Sequence, residues 1–386
     1  MARIGGSVCL VLLAAASASA AIDFDIPRYD PPDENAFDHY QRAFALLAGD
    51  RPWDELSEQL DATPLEDAEV ALLMAQEGLD ELRAGIGKPC VMPPMEAADT
   101  PLPYLRDFRS AARLLALEGW VCARRGDFSA SVASYRDGLV LGQDAARNGV
   151  LIHKLVSAAC EAIVCRAIRR TVGICTEEAA LVELTGHLAA FEGHEVLFGE
   201  TLALEYDCTR RALENSRNDP QAAAGLADIA GAALPPGTVD QALADLDAVY
   251  SRLVAASRND YWALSPADLD LRANTPLIAA LAPQVRKAQS RCVAHTAMLR
   301  GTLLVAALGL YFARHGGHPA TLADLVPDTL KQLPIDPFSG QGFRYVLDDP
   351  LTYRVYSVGP NMRDDGGVEP QNRAGDDGDL VFSTTR

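Results

Sequence analysis

The sequence predicts a mainly α fold, in which an all-α domain of antiparallel helical hairpins precedes a small α+β domain. Apolar residues recur every three to four positions over most of the first 275 residues, and strand-like alternation is almost absent before residue 340. Glycine- and proline-rich breakers divide the helical part, whereas two alternating segments near the C-terminus indicate a hairpin. A chain of 386 residues exceeds one ordinary core, so we expect domains at 35–275 and 283–386.

The composition is that of a folded globular protein, with 49% hydrophobic and 23% charged residues. The formal net charge is −19, and only 6% of residues are aromatic. Binding to nucleic acid requires clustered Lys and Arg that displace counterions from phosphates, and a strongly acidic chain does not supply them. The charge therefore argues against a nucleic-acid partner and favours divalent cations or basic partners.

Residues 1–20 have the pattern of a cleavable secretory signal peptide. Arg3 precedes an apolar stretch from Val8 to Ala16, and small residues stand at Ala18 and Ala20. The apolar stretch is too short for a membrane span. We therefore expect an exported protein, periplasmic or extracellular, without a membrane span after cleavage.

The mature chain is predicted to begin with an extended lead-in at 21–34, because this segment is rich in proline and aspartate. Asn35 is expected to cap the first helix. Further helices are predicted over 66–84, 104–125, 128–147, 150–171, 177–217 with a break near Gly193, and 238–257.

The cysteines do not form a recognisable metal or redox motif. Of the 8 cysteines, seven remain after the signal peptide, and none forms a CxxC pair. Buried thiols on apolar helix faces are the favoured interpretation, and structural disulfides are the alternative.

One helical hairpin, at about 112–145, carries a more specific pattern. Its small and aromatic residues are Gly119, Gly126-Asp127-Phe128, Ser131, Tyr135 and Gly138. This spacing resembles the tetratricopeptide repeat (TPR), although Glu118 and Cys122 replace the usual Leu and Tyr, and no second copy follows. Arg125-Gly126-Asp127 also spells an adhesion tripeptide, but a turn in which Asp127 caps the next helix is the favoured interpretation.

Candidate catalytic residues in the helical domain are few. His187 and His194 are seven positions apart with Glu192 and Glu195 nearby, whereas zincin metalloproteases need two His four apart around a Glu. The alternatives are a metal site on one helix face or an exposed polar surface. His153 lies among apolar residues, which predicts a core or groove histidine. We assign no catalytic residues.

The C-terminal domain is predicted to begin with a long packing helix from Val285 to Ala313, too polar at its start to span a bilayer. Gly316-Gly317 ends this helix. Segments 343–347 and 352–357 alternate in polarity and predict a β-hairpin, and 380–382 predicts a third short strand.

The order of motifs after this helix is similar to that of a known family. The motifs are Gly316-Gly317-His318-Pro319, Asp336-Pro337-Phe338, Tyr356-Ser357-Val358-Gly359 and Asp377-Gly378-Asp379-Leu380. Over about 285–382 the chain resembles the soluble head of type II secretion major pseudopilins (pseudopilin G type). The resemblance implies a pilin-like fold, a long helix packed on a short antiparallel sheet, with calcium held in the loop after the central strand.

Carried over by position, the resemblance implies calcium ligands at the carbonyls of Ser357 and Val358 and at the side chains of Asn361, Asp377 and Asp379. Asn361 replaces the family's Asp and loses a charge, which Asp364 or Asp365 would restore. The alternative is a solvated acidic tail without an ion. Because a signal peptide stands where pseudopilins carry their fibre-forming helix, we do not expect this chain to polymerise.

The preferred functional hypothesis is an exported, non-enzymatic interaction or scaffold protein, with a helical groove for a protein or peptide of the cell envelope and a calcium-stabilised head. One alternative is a periplasmic metal-dependent hydrolase that uses His153, His187, His194 and nearby Glu. A second is an accessory protein of a type II secretion or type IV pilus-like apparatus.

Overall fold

The structure is a computed structural model, which describes residues 21–24, 30–95, 101–193, 196–231, 237–265, 273–349, 351–368 and 378–383. The predicted signal peptide at 1–20 and part of the predicted lead-in lie outside the described residues. Within them the chain is mainly helical with one small antiparallel sheet, which confirms the mainly α prediction.

Twelve α-helices occur in the described part of the chain. In chain order they are α1 Ala36–Leu46, α2 Pro52–Leu56, α3 Leu65–Met74, α4 Gln76–Gly85, α5 Tyr104–Arg124, α6 Phe128–Asp144, α7 Leu151–Ile174, α8 Glu178–Phe191, α9 Phe198–Asn215, α10 Pro220–Ala230, α11 Val239–Ser257 and α12 Pro276–His315. Three short 3₁₀ turns accompany them at Ser57–Gln59, Tyr261–Ala263 and Leu322–Leu325.

Local signals predicted most helix ends correctly. The side chain of Asn35 accepts a hydrogen bond from the backbone N–H of Phe37 and so caps α1. Asp127 likewise accepts a hydrogen bond from the N–H of Ala130 at the start of α6, so the Arg125–Asp127 segment is an inter-helix turn. Gly316 closes α12 in a left-handed conformation, with a φ of 75°.

The hairpin of α5 and α6 is tightly packed at the small residues that carry the TPR-like pattern. A Cβ atom at Gly119 would lie 2.4 Å from the ring of Tyr135, so the aromatic ring occupies the space that glycine leaves. Tyr135 is fully buried, and its hydroxyl lies 2.6 Å from that of Thr171 on α7. Glu118 forms an ion pair with Arg83 of α4 and accepts a hydrogen bond from Ser134, so it joins three helices.

Helix α12 links two hydrophobic cores. Its second half, including Leu304 and Leu308, is buried in the main core with α1 to α8, and α12 contacts α7 and α8 directly. Its first turns, including Leu277 and Val285, are buried in a second core with α9 and α11. The helix begins nine residues before the predicted start at Val285, because Pro276 is compatible with the first turn and the backbone stays helical through position 283.

The sheet has three antiparallel strands, β1 Arg344–Asp349, β2 Thr352–Ser357 and β3 Leu380–Phe382, with β2 in the centre. Val355 of β2 pairs with Phe382 of β3. One face packs on α12, where a Cβ atom at Gly301 would lie 2.3 Å from the Phe382 ring. The helix and the sheet therefore approach each other closely at a glycine, and the sheet belongs to the main core.

The seven cysteines of the described chain form no disulfide with one another, as the buried-thiol interpretation predicted. Cys90, Cys160, Cys165, Cys208 and Cys292 are buried, and Cys122 and Cys175 are partly buried.

By length and composition, α12 is the one helix in the described ranges that is apolar enough to cross a membrane. Of its most apolar window, 67% is buried inside the protein, against α7, α8 and the sheet. The hydrophobic surface of α12 thus serves the core.

Candidate metal centre

The end of β2 is held by a buried carboxylate that precedes the sheet in sequence. Asp336 is 1% exposed, and its Oδ1 accepts hydrogen bonds from the Ser357 hydroxyl (2.7 Å) and the Phe338 N–H (3.1 Å). Its Oδ2 accepts from the Ser339 hydroxyl (3.0 Å) and the Val358 N–H (3.2 Å). Both oxygens of this carboxylate are satisfied within the protein. The Asp336-Pro337-Phe338 motif therefore fixes the point at which β2 turns into the acidic loop.

The acidic loop, defined here as residues 359–368 together with 378–379, returns the chain to the start of β3. Gly359 has a φ of 66°, and a Cβ atom there would lie 2.0 Å from the carbonyl oxygen of Gly378. No other residue type fits this close backbone approach without displacing the loop. The two ends of the loop are thereby held against each other.

Asp379 is the central side chain of this loop. It is 1% exposed, and its Oδ2 accepts hydrogen bonds from the backbone N–H groups of Gly367 (2.7 Å) and Asp365 (3.1 Å). Its Oδ1 is buried and meets no hydrogen-bond donor from the described residues. A carboxylate oxygen without a partner in the interior is costly, so an additional cationic or donor group is expected there.

The electrostatic surroundings of Asp379 include two further carboxylates. Burial raises the pKa of Asp379, and the neighbouring carboxylates of Asp365 and Asp364 raise it further, against the opposing effect of its two backbone hydrogen bonds. Two nearby carboxylates therefore repel the charged form of a carboxylate that is already buried. A bound cation would remove this repulsion.

The two acidic residues considered as substitutes for the missing charge at Asn361 have different roles. Asp364 accepts hydrogen bonds from Arg344 and Tyr356, both at 3.1 Å, and the Gly366 N–H together with these groups lowers its pKa. Asp365 has a neutral partner instead of a charged one. Its carboxylate accepts a 2.8 Å hydrogen bond from the side-chain amide of Asn361. Asp365 is therefore the carboxylate that remains available to a cation.

The predicted ligands are brought together in part. Asn361 and Asp379 meet through Asp365, which contacts Asn361 by its side chain and Asp379 by its backbone. Ser357 and Val358 direct their hydroxyl and N–H groups to Asp336, which leaves only backbone carbonyls as ligands, as the resemblance implies. Asp377 lies outside the described residues. The described residues contain no group of three or more His, Cys, Asp or Glu side chains that could hold a metal ion.

The side-chain oxygens present in the described loop are of the type that calcium binds. The unpartnered Asp379 Oδ1, the Asp365 carboxylate and the Asn361 side-chain oxygen are hard ligands, and calcium prefers six to eight such oxygens at 2.3–2.6 Å. Reorientation of the Asn361 amide would release Asp365 toward the ion. The positive-φ glycines Gly359, Gly366, Gly367 and Gly378 allow the loop to curve around one point.

The histidines of the helical domain occupy separate environments. His153 is 1% exposed on α7 and lies 2.9 Å from the Tyr104 hydroxyl through Nε2, and burial lowers its pKa to about 4. His187 lies at the surface of α8, 3.4 Å from Glu183 on the same helix. Glu192 forms an ion pair with Arg300 of α12 at 2.6 Å, whereas His194 and Glu195 lie outside the described residues.

Sequence reasoning identified the Asp336 corner as a motif but missed its role as a hydrogen-bond hub, and it missed the contribution of the Gly367 N–H to Asp379. An Asp followed by Pro, with a Ser three positions after the Asp, is typical of a turn capped by side chains. This pattern could have indicated the bonds from Phe338 and Ser339 to Asp336, but not those from Ser357 and Val358.

Comparisons of the chain with models of protein families, with curated proteins and with solved structures find no match.

Proposed function

We propose that this chain is an exported, non-enzymatic interaction protein, in which a helical array presents a binding surface and a pilin-like head is stabilised by calcium. The pilin-like assignment rests on the order of motifs in the last hundred residues and on the long helix that packs against a small sheet. Export rests on the signal-peptide pattern at 1–20.

The observation that carries the proposal is the half-satisfied carboxylate of Asp379. One oxygen has two backbone donors, and the other is buried without any among the described residues. Folding a protein around such a group costs roughly 1–3 kcal/mol, more for a charged group, unless a partner binds. When bound, calcium would supply that partner and would neutralise the neighbouring carboxylates.

The chain's own residues prepare this loop for an ion. Asp336 anchors the end of β2, and Gly359 lets the Gly378 carbonyl approach, so the two sides of the loop are in register before any ion binds. Asp365 and Asn361 hold each other at the loop surface. Binding therefore requires local rearrangement of two exposed side chains and not refolding of the head.

Thermal unfolding with and without calcium tests this site. Protein stripped with a chelator should melt at a higher temperature when millimolar calcium is added, because a ligand at 100 times its Kd stabilises by about 2.7 kcal/mol. The variant Asp379→Asn should lose this rise. Asp328→Asn is the matched control, because Asp328 is an exposed carboxylate of the same domain and its loss changes the charge equally.

An unchanged melting temperature of the wild-type protein in excess calcium would refute the calcium site. An equal rise in wild type, Asp379→Asn and Asp328→Asn would show binding elsewhere on the acidic surface. The interaction role is tested separately, by capture of cell-envelope proteins on immobilised full chain. Failure to recover any reproducible partner would count against it.

A further inference from the structure

Helix α3 carries an apolar face that the fold leaves uncovered. Val70, Leu73 and Met74 are 58%, 77% and 62% exposed, although each is a large hydrophobic residue. They are spaced i, i+3 and i+4, so they lie together on one side of the helix. Contiguous exposure of this kind is typical of protein-binding surfaces, whereas isolated exposed apolar residues are ordinary.

The opposite side of α3 already makes the contacts that the fold needs. Ala68, Ala71 and Ala75 are almost completely buried, and α3 packs there against α5. The helix therefore presents small residues, together with the partly buried Leu65 and Leu72, to the core, and three large apolar side chains to solvent. An ordinary surface helix turns its large apolar residues inward.

Acidic residues precede and follow this apolar group along the chain. Glu66 lies one turn before Val70 on α3, and Glu77 lies in the first turn of α4, just beyond the junction at Ala75. Both are exposed, and neither forms an ion pair with a described residue. Glu69, one turn before Leu73, is already paired with Arg125 at 2.7 Å. Glu66 and Glu77 are therefore the glutamates near the apolar residues that remain available to a basic partner.

We propose that this surface, formed by Glu66, Val70, Leu73, Met74 and Glu77, binds an amphipathic helix of a partner protein whose apolar face is flanked by Lys or Arg. The apolar residues would cover the partner's i, i+3, i+4 anchors, and the two glutamates would pair with its basic flanks. The flexible side chain of Met74 suits contact with anchors of different shape. This inference deepens the proposed function, because it gives the interaction role a surface and a partner chemistry.

Binding of a defined probe tests the surface. The probe is a fluorescent peptide of about five helical turns, with leucines on one face and lysines beside them. It should bind the full-length protein, and the double variant Leu73→Glu with Met74→Glu should weaken binding by about tenfold or more. The control variant is Val182→Glu, because Val182 is an exposed valine on α8, 45% accessible, far along the chain from α3.

Charge and pattern are tested with the same assay. Glu66→Lys with Glu77→Lys should weaken binding by about tenfold in dilute buffer and by much less in about 1 M salt, where the screening length falls to about 3 Å. A scrambled peptide of the same composition should bind the wild type as weakly as the original peptide binds the Leu73/Met74 variant. The substituted residues on this surface, Glu66, Leu73, Met74 and Glu77, are all exposed, so the circular dichroism spectra of the variants should match that of the wild type.

Equal binding of the peptide to the wild type, the Leu73/Met74 variant and the Val182 variant would overturn the proposal, since it would indicate general attraction to an acidic protein. A concentration-dependent dimer that dissociates in the Leu73/Met74 variant would also overturn it, because the occupant would then be a second copy of this chain. Partner capture by full-length protein that persists in the Leu73/Met74 variant would leave the interaction role intact while rejecting this surface.

Discussion

Asp336 and Asp379 lie on either side of the central strand, equally buried at 1% exposure, yet they are satisfied in opposite ways. Asp336 has four donors distributed over both oxygens, whereas Asp379 has two on one oxygen and none from the described residues on the other. Burial alone therefore does not distinguish these two carboxylates. The number of donors on each oxygen does.

The largest effect is expected at the satisfied carboxylate. Asp336→Ala should destabilise the protein by about 4 kcal/mol, because it leaves the Ser357 hydroxyl and the Val358 N–H buried without an acceptor. Urea unfolding in the absence of calcium would measure this loss. Asp328→Ala, at an exposed site, should change stability by less than about 0.5 kcal/mol. A loss at Asp336 no larger than that of Asp328→Ala would contradict its structural role.

A buried group can also avoid a counter-ion by remaining neutral, and His153 provides this third case. Its pKa falls from 6.5 to about 4 on folding, so the unfolded chain binds more protons between these values. Stability should then rise with pH across that window, with His153 contributing roughly 3 kcal/mol between its ends. Urea unfolding at several pH values would measure the slope.

The variant His153→Leu isolates this contribution. It should reduce the pH slope between about 4 and 6.5, whatever its effect on stability at neutral pH. His187→Leu is the control, because His187 lies at the surface of α8, 3.4 Å from Glu183 of its own helix. Equal slopes in wild type and His153→Leu would show that His153 is already solvated in the native state.

The smallest effect is expected from adding charge to the acidic loop. Asn361→Asp should tighten calcium binding by about tenfold, because affinity for this ion rises with the number of charged ligands. Without calcium the same change should destabilise the head slightly, since it places another carboxylate beside Asp365. Calorimetric titration would measure the affinity, with Asn218→Asp as a charge-matched control on an exposed turn. Weaker or unchanged binding would place Asn361 outside the site.

The sequence was sufficient for features that depend on neighbouring residues. The cap at Asn35, the turn at Asp127 and the left-handed stop at Gly316 each arise from the local chain, and the structure confirms all three. The β-hairpin of β1 and β2 follows from the alternation of its residues. The short α2 and α10 were not predicted, because α2 has only 5 residues and α10 is rich in alanine, which marks no apolar face.

Features that depend on distant residues were not predictable in the same way. Asp336 and Ser357 are 21 positions apart, and no local pattern states that they share a hydrogen bond. The absence of a donor to Asp379 Oδ1 among the described residues depends on all the groups packed around it. The exposure of Leu73 and Met74 was likewise hidden, because an apolar residue at helical spacing normally predicts burial.

The continuity of α12 has a mechanical consequence. Forty residues of helix form a rod of about 60 Å that is embedded at one end among α9 and α11 and at the other beneath the sheet. Tension applied to the head would pass along this rod to the distant bundle before any loop could extend. The two ends of the molecule should consequently yield to force as one unit, with the rod as the common element whose rupture releases both.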